Sequence, residues 1–451
     1  MNGIANTAAR RSHSARIALA GIAAAASFAA FSGSASAATS CDLVAAPNGS
    51  DSAAGTVDAP LKNVQKLVDS LKGGQTGCLR NGDYSDSDGE ISIDTANTTL
   101  TSYPGERAKV TGRVWVTKSA NGVTVSDLDL DGKNARDLPS PTVNAADVTI
   151  SDNDITNENT SICVSLGSVD TYGRATRTLI EGNSIHNCGK LPATNQDHGI
   201  YVAYADDTVI RDNYIYDNAD RGIQLYPDAQ GTEVTGNVID GNGQGVIFGG
   251  SETYASNDNT VENNVITNSK IRDNIDASWG GKVGTGNVAR DNCVGGGAYD
   301  DGDGGIIDGQ PGFKSLDNLL KVPDFVNAKA GDYRIAGTSP CADILAGAKA
   351  PTGPTGNGGS GNSSSVVTID TSKTTVATTE PIAVTGSAPG ADKVRVMILR
   401  QGHWHKLTTA TTAKSGKYRT QVRLSHPGRQ ALKAVAGGLK DSKSVKVNVQ
   451  K

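Results

Sequence analysis

A short unit, apolar-x-apolar-x-x-Asn-x-apolar, recurs along the middle of the chain, and no other feature restricts its fold as tightly. It runs from Val148 to Ile155 around Asn153 and returns as Asn183-Ser-Ile185, Asn213-Tyr-Ile215, Asn237-Val-Ile239 and Asn264-Val-Ile266, with Asn287-Val-Ala289 read as a smaller sixth copy. Successive asparagines are 30, 30, 24, 27 and 23 residues apart. A constant core at variable spacing describes the coils of a solenoid with loops inserted at the turns.

A second signal lies between these units. Gly199-Ile-Tyr-Val202, Gly222-Ile-Gln-Leu225 and Gly245-Val-Ile-Phe248 follow one another every 23 residues. Alternation puts Ile200/Val202, Ile223/Leu225 and Val246/Phe248 inside and leaves Tyr201, Gln224 and Ile247 outside. With a third short apolar stretch after each asparagine, every coil has three strands. An inward asparagine repeated at the ~4.8 Å strand spacing bonds its own copies and the turn backbone, so Asn153, Asn183, Asn213, Asn237 and Asn264 are read as a structural ladder.

Composition and targeting signals bound the function. Arg10, Arg11 and Arg16 precede the apolar run Ile17 to Phe31 and then Ala35-Ser-Ala37, which reads as a signal peptide over residues 1–37 and implies a secreted protein. No other run is apolar enough to span a membrane. The six cysteines Cys41, Cys78, Cys163, Cys188, Cys293 and Cys341 suit disulfides in such a compartment, and sequential pairing is expected from their placement. Residues 365–451 hold 15 Lys/Arg against 4 Asp/Glu (+11), while residues 38–364 hold 24 against 43 (−19). A basic appendage on an acidic body suggests that the appendage meets an anionic surface. No nucleic-acid motif accompanies that charge, so nucleic acid is not expected as a partner.

Ala46-Pro-Asn-Gly-Ser-Asp51, Pro60 to Lys66, Leu79-Arg-Asn-Gly-Asp-Tyr84 and Ser102-Tyr-Pro-Gly105 resemble the entry segment of the pectate-lyase-like superfamily of right-handed parallel β-helices. Pro323-Asp-Phe-Val326, Gly331 to Ile335 and Ser339-Pro340 resemble its usual end. The resemblance implies an all-β chain with a parallel β-helix over residues 38–349, begun by a capping helix near residues 60–72. That superfamily holds lyases, epimerases, hydrolases and inert binders, so the fold does not select the chemistry. A Pro/Gly/Ser/Asn-rich linker follows at 350–364. Short alternating stretches over residues 365–451 then suggest an immunoglobulin-like β-sandwich without its disulfide. His403-Trp404-His405 in that domain reads as a hairpin with a half-buried Trp, with sugar stacking as the alternative.

Surplus loop collects near Cys163, at 167–178 and 187–197, and loops clustered on one side of a solenoid build ligand sites. His198 and Arg221 each precede the glycine of a repeat, so they share one column on adjacent coils. For lysis or C5-epimerisation of a uronic-acid polysaccharide, His198 serves as base or acid and Arg221 holds the carboxylate or stabilises the enolate. Tyr226 protonates the leaving oxygen, and Lys190 is a rival base if Arg221 lowers its pKa. Tyr172, Tyr201, Tyr204, Gln224 and Asp228 complete the expected substrate surface. Asp127 stacked on Asp152 and Asp129 on Asp154 form an outward acidic column, which resembles in type the calcium sites of pectate lyases; Asp300-Asp301-Gly-Asp303 is a further candidate.

The chain lacks the Asn-Thr-Asp, Gly-His-Gly and Arg-Ile-Lys set of polygalacturonases and the Trp-x-Asp-His of the commonest pectate lyases. A glycoside hydrolase built on Asp228, Asp276 or Asp197 is the second reading, and a non-catalytic carbohydrate-binding scaffold the third. In each case a monomer is expected to suffice.

Overall fold

The computed structural model describes residues 40–345, apart from 170, and residues 369–450, apart from 374, 379, 389–392, 401–402, 413–416 and 437–443. The signal-peptide and linker readings lie outside the described residues.

Residues 40–345 form the expected parallel β-helix. One wall is an 11-stranded parallel sheet. An 18-stranded sheet supplies the remaining two faces of each coil, and Phe325–Asn327 and Asp332–Ile335 form a separate antiparallel pair. The register is that of a solenoid: Val125, Ile150, Ile180, Ile210, Val234, Val261 and Ala289 pair in succession along one wall. Leu130, Ile155, Ile185, Ile215, Ile239, Ile266 and Val294 do so along the next. All are buried in one continuous core. Apolar columns of this kind hold such a fold together, because no single coil buries enough surface alone.

The asparagine ladder is present and longer than the repeat suggests. Each Oδ1 accepts from the backbone N–H and the Nδ2 of the asparagine one coil earlier, through Asn153, Asn183, Asn213, Asn237, Asn264, Asn292 and Asn318. Asn287 is not its sixth member. It belongs to a second corner, where it accepts from Asn259, and Asn218 and Asn242 form a third ladder. The residue before each ladder asparagine lies at positive φ, as at Asp152, Gly182, Asp212, Gly236, Asn263, Asp291 and Asp317. That backbone state selects Gly, Asn or Asp, and it supplies the second half of the corner signature.

The helix that caps the first coil spans Val64–Ser70. Asn63 Oδ1 accepts from Lys66 N at its start, and Val64, Leu67 and Val68 face the core. The disulfides are the sequential pairs Cys41–Cys78, Cys163–Cys188 and Cys293–Cys341. Among the described residues no helix is long and apolar enough to cross a membrane.

The C-terminal residues form a small domain of two sheets on one apolar core. Asp370–Thr371, Pro381–Ser387 and Lys417–Arg423 make a three-stranded antiparallel sheet. Thr375–Ala377, Val445–Gln450, Gly428–Val435, Lys393–Arg400 and His403–Thr411 make a five-stranded mixed one. The side chains of residues 403–405 lie outside those described.

Candidate active site

Three consecutive coils present the strands Ile200–Asp206, Arg221–Gln230 and Gln244–Gly250, and Ile275–Gly280 follows. Tyr201 pairs with Gln224, Gln224 with Ile247 and Ile247 with Asp276, which makes one outward column. Ahead of it Arg221 pairs with Gln244, and the register places His198 beside Arg221 on the preceding coil. The shared column expected for His198 and Arg221 therefore exists, and Gln244 extends it.

The column is closed to solvent. Arg221 is 0 % and His198 2 % exposed, and outward-facing Gln224 and Ile247 are buried as well. The cover over His198 and Arg221 is the loop Lys190 to Asp197. Arg221 Nη1 donates to the Asn195 carbonyl at 2.7 Å and Nη2 to Asn195 Oδ1 at 2.5 Å, and Arg272 donates to that same oxygen. Asp220 closes the other side by accepting from Asn195 N and Asp197 N, both at 2.9 Å.

Burial sets the electrostatics. Loss of solvent, reinforced by the Arg221 charge, holds the His198 imidazole well below its ordinary range, so it is neutral at neutral pH. Burial also lowers Arg221 to about 10, opposed by Asp220 and assisted by Arg272. It pushes the Tyr201 phenol up, with Tyr226 and Tyr204 adding to the shift, so Tyr201 keeps its proton. The His198 and Tyr201 rings meet edge to face at 5.6 Å, and Tyr204 meets Tyr254 likewise at 5.5 Å. Tyr226 lies over Gly280, where an added Cβ would come 3.2 Å from its ring. Among the described residues His198 Nδ1, Gln224 Oε1 and Gln244 Oε1 are buried without a hydrogen-bond partner. The Thr178, Thr208, Thr232 and Ser269 hydroxyls elsewhere in the β-helix share that state.

Other expected residues lie elsewhere. Lys190 is half exposed and pairs with Asp137 at 3.1 Å, so it stands on the outer side of the loop and not against Arg221. Asp228 is held by Arg174 at 2.6 Å, which also binds Asp206, and by Gln230. Asp276 accepts from Gln244 Nε2 and from Ser278 N and Oγ. Asp197 accepts from Thr194 Oγ1 and Lys190 N. Tyr172 stands apart from the tyrosine group, against Trp115 at 6.0 Å.

The four aspartates of the acidic column do not converge as a single cluster. Asp127 and Asp152 are corner residues with φ of 56°, so backbone geometry selects them and strand alternation does not orient them outward. Asp129 and Asp154 do pair in register. Their carboxylates are engaged by Arg107 at 2.7 Å and by His186 Nε2 at 2.7 Å. Asp300 is directed at the amides of Gly296, Gly302 and Gly304. Among the described residues no group of three or more His, Cys, Asp or Glu side chains converges for a metal.

Sequence reasoning missed Gln244, Asn195, Arg272 and Tyr254. The signal for Gln244 was legible: His198-Gly199, Arg221-Gly222 and Gln244-Gly245 repeat every 23 residues. The others are loop residues that only the folded coil brings in.

Residues 141–308 match the family described as the right-handed β-helix region. The match does not reach the C-terminal domain. Pectate lyase PEL9 of Emericella nidulans is 37 % identical over 99 residues, 21 % of this chain and 22 % of that protein, so the chain spans less than a quarter of the relative it matches. Among solved structures, pectate lyase Pel9A aligns with a TM-score of 0.45 at 14 % identity, over 67 % of this chain and 91 % of that one. XylC in complex with xylose aligns with a TM-score of 0.44 at 10 % identity, over 90 % and 100 %. Residues 141–308 are thus a right-handed β-helix region, and structural likenesses at this level do not transfer chemistry.

Proposed function

We propose that this protein is a secreted enzyme that cleaves an acidic, uronic-acid-containing polysaccharide by β-elimination. The observation that carries the proposal is Tyr201, with Tyr226 and Tyr204 close enough to act on it, set edge to face against His198 beside the buried His198–Arg221 column. The short sequence match to a pectate lyase supports the same substrate class, and the three disulfides suit an extracellular setting.

Elimination removes the C5 proton, passes through an enolate of the sugar carboxylate and expels the 4-linked oxygen. Neutral His198, whose Nδ1 has no partner among the described residues, accepts the proton once the 190–197 loop shifts. The guanidinium charges of Arg221 and Arg272 offset the charge that develops on the carboxylate. Tyr201, held protonated by its surroundings, donates to the leaving oxygen. Asp228, Asp276 and Asp197, the candidates for the two carboxylates a hydrolase requires, are engaged by arginine, amide and hydroxyl donors.

The test is kinetic. Tyr201→Phe should lower kcat by about 100-fold or more with little change in KM, the usual size of a lost proton donor. Full activity in Tyr201→Phe, or its loss through KM alone, rejects the assignment.

A further inference from the structure

The outward column that holds Tyr201 continues toward the N-terminal coils. Tyr201 pairs with Ser165, Ser165 with Thr142 and Thr142 with Trp115. Trp115 therefore stands three strand spacings from Tyr201 on the same face, about 14 Å along the helix axis. One coil advances by close to one sugar of an extended glycan, so Trp115 and Tyr201 stand about three sugars apart, with the small buried side chains of Ser165 and Thr142 between them.

Around Trp115 the side chains are held in place. Its indole Nε1 donates to Asn144 Oδ1 at 2.8 Å. The Arg113 guanidinium lies 4.8 Å over the ring, and Glu90 fixes Arg113 at 2.7 Å and Arg136 at 2.5 Å. Tyr172 projects beside it from a loop pinned on either side, by Lys118 Nζ to the Thr171 carbonyl at 3.0 Å and by Asn144 Nδ2 to the Gly173 carbonyl at 2.9 Å. Despite those anchors Tyr172 is 56 % exposed. A fixed, solvent-facing phenol beside an indole offers apolar area at low entropic cost, and Arg136, largely exposed, adds a cation for a carboxylate.

We infer that Trp115, Tyr172 and Arg136 form a distal subsite that binds a uronic-acid residue of the same glycan chain about three sugars from the reacting linkage. This inference rests on the reading that the tyrosine face binds an acidic polysaccharide. The subsite sets chain-length preference and takes no part in the chemistry.

The experiment measures affinities of size-fractionated oligogalacturonates and oligoalginates for the full-length protein, wild type against Tyr172→Ala and Trp115→Ala. Tyr172 is exposed enough that its replacement should not disturb folding, which covers the case in which Trp115→Ala fails to fold. The ratio of long-oligomer to dimer affinity should fall about tenfold in Tyr172→Ala. An unchanged ratio, with wild type still binding, overturns the subsite and leaves the proposed function standing. Failure of wild type to bind any acidic oligomer overturns both.

Discussion

At the residue scale, His198 links stability to chemistry. Its folded-state pKa lies below the ordinary value because burial and Arg221 both disfavour the imidazolium. As pH falls through about 6.5 the unfolded chain takes up a proton that the folded chain refuses, so stability declines by up to about 1.4 kcal/mol per pH unit. His186 acts in the opposite sense. Burial opposes its charge, but the hydrogen bond and charge of Asp154, with Asn187 on the other nitrogen, raise its pKa, and its contribution is lost as pH rises. Comparing the melting temperature of wild type and His198→Gln between about pH 7.5 and 5 isolates the first effect, and the variant should show the shallower decline on the acid side. The ladder gives a second residue-scale prediction. Asn213→Leu removes the acceptor for Asn183 N and Nδ2 and the donor to Ile180 O, all buried. At about 1–3 kcal/mol per stranded group, it should lower stability by at least about 3 kcal/mol in denaturant unfolding.

At the element scale the decisive piece is the loop over His198 and Arg221. Asn195 Oδ1 receives two guanidinium groups, so Asn195→Ala leaves both with one acceptor fewer. The expected result is a loss of about 1–3 kcal/mol together with faster amide exchange confined to residues 190–197; unchanged exchange there argues against the loop as the movable cover. This element also shows where sequence reading stopped. The column of His198 and Arg221 followed from the 23-residue spacing, whereas their burial depended on Asp220 and Asn195 folding the loop back, a contact that no periodicity encodes. The aspartates show a related limit of the sequence. An Asp chosen for positive φ and an Asp chosen to hold a cation are identical in sequence, and only the backbone shows that Asp127 and Asp152 sit at corners with φ of 56°.

At the scale of the whole molecule, the coil pattern was legible because its signal repeats: each coil restates the apolar columns and the corner asparagine. The extra ladders escaped because Asn218, Asn242, Asn259 and Asn287 follow different corners from the unit first recognised. Charge divides the molecule more sharply than structure does. The strands of the five-stranded C-terminal sheet carry Lys393, Arg395, Arg400, Lys406, Arg429, Lys433 and Lys446 and not one carboxylate. If that domain tethers the protein to an anionic matrix, truncation after residue 358 should abolish retention on insoluble pectic material. Retention of the intact protein should also weaken with salt, because such charges are screened over about 10 Å at ~0.1 M. Retention that ignores both changes removes the tether.

Elimination differs from every rival chemistry in the product it leaves. Purified protein incubated with pectate, alginate and glycosaminoglycans should convert at least one of them to oligomers with an unsaturated uronate at the new non-reducing end. That product is read as a rise in near-ultraviolet absorbance and confirmed by mass, and Tyr201→Phe should abolish it. New reducing ends carrying only saturated sugars, or an intact polymer in every case, would contradict the account.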